Sequence, residues 1–113
     1  MNLKNPQECC RQWQQLLKLQ DWDVSVTIES LDNEDIEGDV TWVLEKKFAD
    51  IRLTSEHPDA MRPYDMEQTL VHDLLHLHFA PFDAKSKTVK AIAQEQTINA
   101  IASALVNLKR QIS

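Results

Sequence analysis

The sequence predicts an α+β domain in which an N-terminal helix precedes a sheet of about three strands and then two packed helices. Hydrophobic residues recur every three or four positions near the amino terminus and again through the second half of the chain, which is the spacing of a buried helix face. Between these regions they alternate with polar residues, as in a strand with one buried face. A chain of 113 residues that is 42% hydrophobic and 27% charged is expected to form one domain over residues 1–113.

The charge distribution predicts a protein that binds neither nucleic acid nor a membrane. The net charge is −6, and the longest basic run is Lys46-Lys47, whereas nucleic acids and anionic membranes require broad basic surfaces. No apolar stretch approaches the roughly 20 residues that span a bilayer, and the first residues lead into a polar helix instead of a signal peptide. We therefore expect a cytoplasmic protein. Adjacent Cys9 and Cys10 would diverge on a helix, which disfavours a disulfide between them and fits a reducing compartment.

The first helix and the first strand are predicted from their ends and their periodicity. Asn5 can cap a helix that has Pro6 in its first turn and continues to about Lys18. The period then changes to two, which predicts a strand with one buried face. Its alternating apolar residues are Trp22, Val24, Val26 and Ile28.

Two more alternating segments predict a hairpin. Their apolar residues are Val40, Trp42 and Leu44 in one segment and Ala49, Ile51 and Leu53 in the other. We expect these strands to join the first in an antiparallel or mixed sheet. The acidic stretch 31–39 lacks the glycine and glutamate spacing of a calcium loop, so we interpret it as a solvated loop. The following segment, 54–63, is predicted to be a loop that contains His57.

The next helix carries two histidines at the spacing of a metal site. Asp65 and Gln68 form a capping box at its start, and Pro81 ends it near residue 79. The helix has one apolar stripe, formed by Met66, Leu70, Leu74 and Leu77. His72 and His76 lie beside this stripe, and residues four apart on a helix project from the same face. This is the spacing at which two imidazoles hold one zinc ion.

The last helix supplies a third candidate ligand. It is predicted to begin at 84–86, with a buried face formed by Ile98, Ile101, Leu105, Leu108 and Ile112. Glu95 lies three residues before Ile98, so this face places a carboxylate where an apolar residue is expected, and a buried carboxylate needs a partner. The 19 residues from His76 to Glu95 are enough to end one helix and bring the next alongside it. Two histidines and a glutamate leave an open position, as in catalytic zinc sites, and Asn99 could orient one of the histidine rings.

These segments resemble a known family of metal enzymes. His72-Asp73-Leu74-Leu75-His76 and Gln94-Glu95-Gln96-Thr97-Ile98-Asn99 resemble the gluzincin metallopeptidases, and more closely the small phage and bacterial minimal zincins with one metal-binding domain. The order of elements is similar over nearly the whole chain. The resemblance implies that His72, His76 and Glu95 bind zinc, that segment 49–53 lines the cleft, and that the substrate is a peptide or protein.

Asp73 is where the sequence departs from the H-E-x-x-H motif. In the H-E-x-x-H motif the glutamate is the general base that takes a proton from water activated by the metal, and the resemblance implies this role for Asp73. Aspartate reaches roughly 1.3 Å less far than glutamate, and a misplacement of about 1 Å can cost ~10²-fold in rate. Two hypotheses follow: a zinc-dependent metallopeptidase with Asp73 as base, or a catalytically weak or inactive zincin-fold protein that binds metal and acts through protein–protein contacts.

Other families share parts of the motif. His72-Asp73 is also the adjacent pair of HD-type phosphohydrolases, with His57 and Asp83 as possible further ligands, but that family is all-helical. The H-x-x-x-H-x-x-x-x-x-H motif of bacterial ribosomal-RNA endoribonucleases would need a histidine at Phe82, and the acidic charge suits RNA poorly.

The roles of Glu95 and Tyr64 are each open to another interpretation. Glu95 could instead pair with Lys90 or Arg110 at the surface, which would remove it from a metal site. Tyr64 could stabilise a tetrahedral intermediate as a phenol donor, and a single loop tyrosine gives weak support for that role.

Overall fold

The elements follow one another in the predicted α+β order. The computed structural model describes residues 3–30, 37–55, 64–82 and 88–112. Within these ranges lie the helices α1 (Pro6–Leu16), α2 (Met66–Phe79) and α3 (Val89–Ile112) and the strands β1 (Asp23–Glu29), β2 (Gly38–Val43) and β3 (Phe48–Thr54). Short 3₁₀ turns follow β2 at Leu44–Lys46 and α2 at Ala80–Phe82. His57, Asp83 and residues 31–36 of the acidic stretch lie outside the described residues.

Both predicted helix caps are confirmed by hydrogen bonds. The Asn5 side chain accepts a hydrogen bond of 3.1 Å from the backbone N–H of Glu8, and Pro6 occupies the first turn of α1. The Asp65 side chain accepts a hydrogen bond of 3.2 Å from the backbone N–H of Gln68. These bonds satisfy amides that have no partner within the helix, so both helices begin where the sequence predicts.

The three strands form a mixed sheet in the order β1-β3-β2. The predicted hairpin is confirmed, because β2 and β3 are antiparallel, with Val40 opposite Ile51. β3 lies between the other two strands and is parallel to β1, with Val26 opposite Ile51. Alternation alone predicts one buried face for each strand but not which strand lies in the centre. Because β1 and β2 are sequential but not adjacent, the order of strands depends on tertiary packing.

Leu44 does not extend the second strand as its alternating position predicts. β2 ends at Val43, and Leu44 begins the 3₁₀ turn, where it is 37% exposed. Lys47 then adopts a left-handed conformation with φ of 51°, which reverses the chain into β3. The tight connection between the strands removes Leu44 from the buried face, and alternation could not predict this turn.

All three helices contribute to a core on one face of the sheet. The sheet provides Val24 from β1 and Ile51 and Leu53 from the central strand, all buried. Trp13 of α1 belongs to the same cluster. The predicted apolar stripe of α2 is confirmed, with exposures of 0–2% for Met66, Leu70, Leu74 and Leu77. α2 is therefore the central helix, and the packing of its buried stripe sets the positions of the residues beside it.

The buried face of α3 differs from the predicted one. Ile98 is buried as predicted and Leu105 is partly buried, but Ile101, Leu108 and Ile112 are 37%, 54% and 80% exposed. Ala102 and Val106 are buried in their place. α3 carries two adjacent apolar rows, and the row with the smaller side chains faces α2. Hydrophobic spacing alone cannot show which of the two rows is buried. Although α3 has 24 residues, no helix in the described ranges is both long and apolar enough to cross a membrane.

A cluster of charged side chains joins the end of α3 to the start of α2, and Trp13 of α1 also contacts it. Arg110 donates two hydrogen bonds to Asp65, of 2.7 and 2.9 Å. Glu67 is 8% exposed and accepts hydrogen bonds of 2.8 Å from both Lys109 and the Trp13 indole. Two-pronged arginine–carboxylate pairs are directional as well as strong. The cluster therefore helps to set how far α3 is displaced along α2.

This cluster makes the stability of the fold dependent on pH. The hydrogen bonds from Arg110 lower the pKa of Asp65 below its ordinary value of 3.8. Burial acts to raise the pKa of Glu67, but the hydrogen bonds from Lys109 and Trp13 outweigh it and lower that pKa below 4.5. A carboxyl group with a lowered pKa in the folded state stabilises the fold above its unfolded pKa, and this contribution is lost as the pH falls through the folded pKa.

We expect Arg110→Gln to reduce the free energy of unfolding at pH 7 by about 1–2 kcal/mol, because charge-assisted hydrogen bonds to Asp65 and Glu67 are lost. The variant should also lose less stability than the native protein between about pH 5 and pH 2, since its carboxyl pKa values are closer to those of the unfolded chain. Urea denaturation across that pH range measures both effects. Arg11→Gln is the control, because Arg11 forms an exposed pair with Glu8 at 3.5 Å. Equal acid sensitivity in the native protein and Arg110→Gln would contradict the assignment.

Candidate metal centre

Two helices bring three potential metal ligands together. α2 presents His72 and His76 one turn apart, with 3.3 Å between their Nε2 atoms. Glu95 reaches them from α3, and its Oε1 atom lies 2.7 Å from Nε2 of His72 and 3.1 Å from Nε2 of His76. Among the described residues these three offer ligand atoms within 4.8 Å of one another. The structure therefore brings together the histidine pair and the glutamate that the sequence singled out.

Glu95 reaches this position because it shares a helix face with buried residues. Ile98 and Ala102 pack into the core at 0% and 1% exposure, and Glu95 precedes them by three and seven positions on the same face. Arg110 does not pair with Glu95, the alternative that the sequence left open, because its guanidinium contacts Asp65 and Glu67 instead. The carboxylate therefore faces α2 at the level of the two histidines.

The separations of the ligand atoms suit a tetrahedral divalent cation. Zinc bonds of about 2.0–2.1 Å place neighbouring ligand atoms roughly 3.3–3.4 Å apart, and the observed separations of 3.3, 3.1 and 2.7 Å lie near or somewhat below this range. A carboxylate accepts hydrogen bonds but cannot donate them, and a neutral imidazole carries one N–H. A cation among the three atoms would therefore satisfy every lone pair that points into the group.

Burial and exposure at the group also fit a metal site with an open position. Oε2 of Glu95 is buried and has no hydrogen-bond partner among the described residues. Such an atom is costly unless something else compensates for its lost hydration. The side chains of His72 and His76 are each 21% exposed and that of Glu95 is 44% exposed, so solvent reaches the group. Two nitrogens and one oxygen are typical of catalytic zinc sites.

Trp42 of β2 forms one wall of the group. Its indole ring stacks on the His76 imidazole, with 6.5 Å between ring centroids and 20° between ring planes. The two imidazoles lie edge to face, with centroids 5.0 Å apart. The sequence assigned Trp42 to the core through its alternating position, and this position is also what directs the ring toward α2.

Asp73 lies deeper than the three ligands. Its side chain is 4% exposed, and Oδ2 has no hydrogen-bond partner among the described residues. Burial raises the pKa of Asp73 well above 3.8, and the negative charges of Asp39 and Glu95 raise it further. Loss of hydration and like charge both favour the protonated form of a carboxyl group, whereas a nearby divalent cation would oppose both.

Gly38 makes room for the Asp73 carboxyl group. It is the only glycine in the sequence, and its φ is not positive, so its role is spatial. A Cβ atom at this position would lie 2.9 Å from the backbone oxygen of Arg52, 3.0 Å from Cγ2 of Thr69 and 3.1 Å from Oδ2 of Asp73. Neither periodicity nor motif spacing in the sequence indicates a role for Gly38. Its position as a lone glycine at the start of a strand is the signal that could have drawn attention to it.

The remaining candidates lie apart from the group. Asn99 is exposed, and none of the hydrogen bonds described for the two histidine rings involves it. The Tyr64 hydroxyl donates to the backbone oxygen of Thr54 at 3.0 Å, so it links the end of β3 to the segment before α2. His78 is exposed and donates a hydrogen bond of 2.7 Å to the backbone oxygen of Leu17.

Comparisons of the chain with protein family models, with curated proteins and with solved structures give no match. The resemblance to minimal zincins therefore stays a prediction that rests on the two motif segments. The mixed sheet is inconsistent with the all-helical architecture of HD-type phosphohydrolases.

We expect Gly38→Ala to lower the free energy of unfolding by about 1–3 kcal/mol, because the added methyl group overpacks a site bounded by backbone. Urea denaturation measures this loss. Thr41→Ala, at an exposed position of the same strand, is the control for strand propensity. The double variant Gly38→Ala with Thr69→Ser should recover part of the loss, since it removes one of the three close contacts. A Gly38→Ala variant as stable as the native protein would show that the space is not needed.

We expect the native protein to bind one zinc ion and to be stabilised by it. At a free zinc concentration 100 times the dissociation constant the gain is about 2.7 kcal/mol, which corresponds to a rise in melting temperature of roughly 10 °C for a domain of this size. His72→Ala and Glu95→Ala should weaken binding by at least about 100-fold, because each removes a direct ligand. Competition with a chromogenic chelator measures the affinity.

His78→Ala is the matched control for this prediction, because His78 lies on α2 but binds the backbone of Leu17 instead of the group. Its zinc affinity and its zinc-dependent melting temperature should equal those of the native protein. Equal loss of affinity in His78→Ala and His72→Ala would assign the binding to exposed imidazoles in general. Failure of the native protein to bind any divalent transition metal would reject the metal centre.

Proposed function

We propose that this protein is a zinc-dependent hydrolase of the metallopeptidase type that acts on peptide or protein substrates. The observation that carries the proposal is the convergence of Nε2 of His72, Nε2 of His76 and Oε1 of Glu95 within hydrogen-bonding distance of one another. A carboxyl group, that of Asp73, follows the first of these ligands in the chain. Imidazole and carboxylate ligands suit zinc among the common divalent metals, and zinc is proposed here on that chemistry.

His72, His76 and Glu95 would hold the ion, and each has a defined support. The histidines stand on the most buried helix of the fold, next to Val71 and Leu75, which are 0% and 5% exposed. Glu95 is anchored by the packing of the following turn of α3. When bound, zinc supplies a Lewis acid that polarises a substrate carbonyl and acidifies water. The protein residues supply the fixed ligand positions that such chemistry requires.

Asp73 is the residue proposed to accept and return a proton. Its position after His72 places its carboxyl group between α2 and β2, close to Gly38. A general base must come within about 2.6–3.2 Å of the proton that it takes, or act through an intervening water. Because aspartate is one methylene shorter than glutamate, Asp73 would act through water or on a group held deeper in the cleft. Trp42 limits the cleft on the side of His76.

A second function is favoured by the burial of Asp73. Its side chain is 4% exposed and its Oδ2 atom faces Gly38, whereas the ligand side chains are 21–44% exposed. A carboxyl group directed at the sheet is poorly placed to serve a substrate at the ligands. The alternative is a catalytically weak or inactive metal-binding protein that acts through protein–protein contacts.

We expect Asp73→Asn to lower peptidase activity by at least about 100-fold while zinc binding is retained, because the amide cannot accept the proton but fills the same volume. Hydrolysis of a mixed fluorogenic peptide library by the zinc-loaded proteins measures the activity. Asp50→Asn, on β3 at the opposite face of the sheet, is the matched control and should behave as the native protein. Activity that is absent in the native protein and gained in Asp73→Glu would reject catalysis and support the binding function.

A further inference from the structure

The surface of α3 that faces away from α2 carries no charge along most of the helix. Between Ile92 and Ile112 the residues of α3 on this side are uncharged, although 27% of the residues in the chain are charged. The charged residues of this stretch point inward: Glu95 contacts the histidines, and Lys109 and Arg110 contact Glu67. A helix exposed to water normally bears charges on its outer face. Depletion of charge is instead typical of the centre of a protein–protein interface.

This outer surface combines large apolar residues with a row of small ones, and exposed Gln96, Asn107 and Gln111 are uncharged polar residues on the same side. The large apolar residues Ile92, Ile101, Leu108 and Ile112 are 54%, 37%, 54% and 80% exposed. Between them runs a row of small exposed residues at helical spacing, formed by Ala93, Thr97, Ala100 and Ala104. The Thr97 hydroxyl donates a hydrogen bond of 2.8 Å to the backbone oxygen of Ala93, so its hydrogen bond is made within the helix. Small side chains let a second helix approach closely.

We propose that α3 pairs with α3 of a second copy of this chain, in an antiparallel arrangement centred on Ala100. The large residues are spaced almost symmetrically about this position, because Ile92 precedes it by eight residues and Leu108 follows it by eight. A two-fold axis at Ala100 brings Ile92 of one copy to the level of Leu108 of the other, on opposite sides of the small-residue row. The same axis places Ile101 next to its own copy. The face is therefore complementary to itself.

The neutral character of the face favours a second copy over a charged partner. In a two-fold interface residues near the axis meet their own copies, so a charged residue there would face a like charge. Asn99 and Ser103 flank the row, and amide and hydroxyl groups carry both donors and acceptors, so they can pair with themselves or each other. The chain has a net charge of −6, which opposes association through its charged surfaces. The outer face of α3 avoids this repulsion.

The pairing leaves the candidate metal centre open. Glu95 and Ala100 are five residues apart, a rotation of about 140° around the helix axis. A copy bound at Ala100 would therefore lie on the side of α3 opposite to the histidines. The 24 residues of α3 span about 36 Å, and an interface formed by one helix from each copy is small. We expect weak dimerisation, with a dissociation constant of roughly 1–100 µM.

Sedimentation equilibrium of the full chain from about 1 µM to 1 mM tests the proposal. The native protein should convert from monomer to dimer over this range, and Ala100→Glu should weaken the dimer at least about tenfold, because two carboxylates meet at the axis. Glutamate is a good helix former, so the monomer should keep its fold and melting temperature. Thr27→Glu adds the same charge at an exposed position of β1 and should leave dimerisation unchanged. A native protein that is monomeric throughout the range, or equal weakening by both variants, would overturn the proposal.

Cysteine cross-linking tests the antiparallel orientation. A disulfide requires Cα atoms closer than about 7 Å. In the proposed pair the two copies of residue 100 face each other, whereas the two copies of residue 93 are about 21 Å apart. Ala100→Cys should therefore form a covalent dimer under mild oxidation and Ala93→Cys should not, with the native Cys9 and Cys10 common to both. Equal cross-linking of the two variants, as in a parallel pair, would overturn the proposed orientation.

Discussion

The position of α3 along α2 is the constraint on which the candidate site depends. At one end of the contact, apolar side chains of α3, led by Ile98, pack into the core. At the other end Arg110 holds Asp65 through two hydrogen bonds, and Lys109 holds Glu67. A shift of one residue in this arrangement would rotate Glu95 by about 100° around the helix. The carboxylate would then point away from the histidines, so packing far from the site determines whether three ligands meet.

The packing of Asp73 against the sheet is a second constraint. It affects the proposed catalytic role of Asp73 but not the three metal ligands. The ligands lie on the accessible side of α2, whereas Asp73 lies against β2 in a space that exists because residue 38 has no side chain. A carboxyl group held in this way loses its hydration and has few orientations open to it. The metal ligands need α2 and α3 alone, but the role of Asp73 also depends on the position of the edge strand.

The sequence predicted the elements more reliably than their arrangement. The caps Asn5 and Asp65, the alternating strands and the apolar stripe of α2 are local patterns, and each is confirmed because neighbouring residues determine it. The parallel pairing of β1 with β3 and the exposure of Leu108 depend on contacts between residues that are distant in the chain. Leu44 failed as a strand residue because a turn of three residues overrode its alternation.

The sequence by itself determined which residues could form a site. The spacing of four between His72 and His76 places both rings on one helix face whatever surrounds them. A carboxylate within an apolar row likewise indicated that Glu95 needs a partner. Only the tertiary structure decided that Oε1 of Glu95 meets both rings, that Asn99 remains at the surface and that Gly38 lies against Asp73. These contacts join segments 19 or more residues apart, and their geometry arises from packing instead of local spacing.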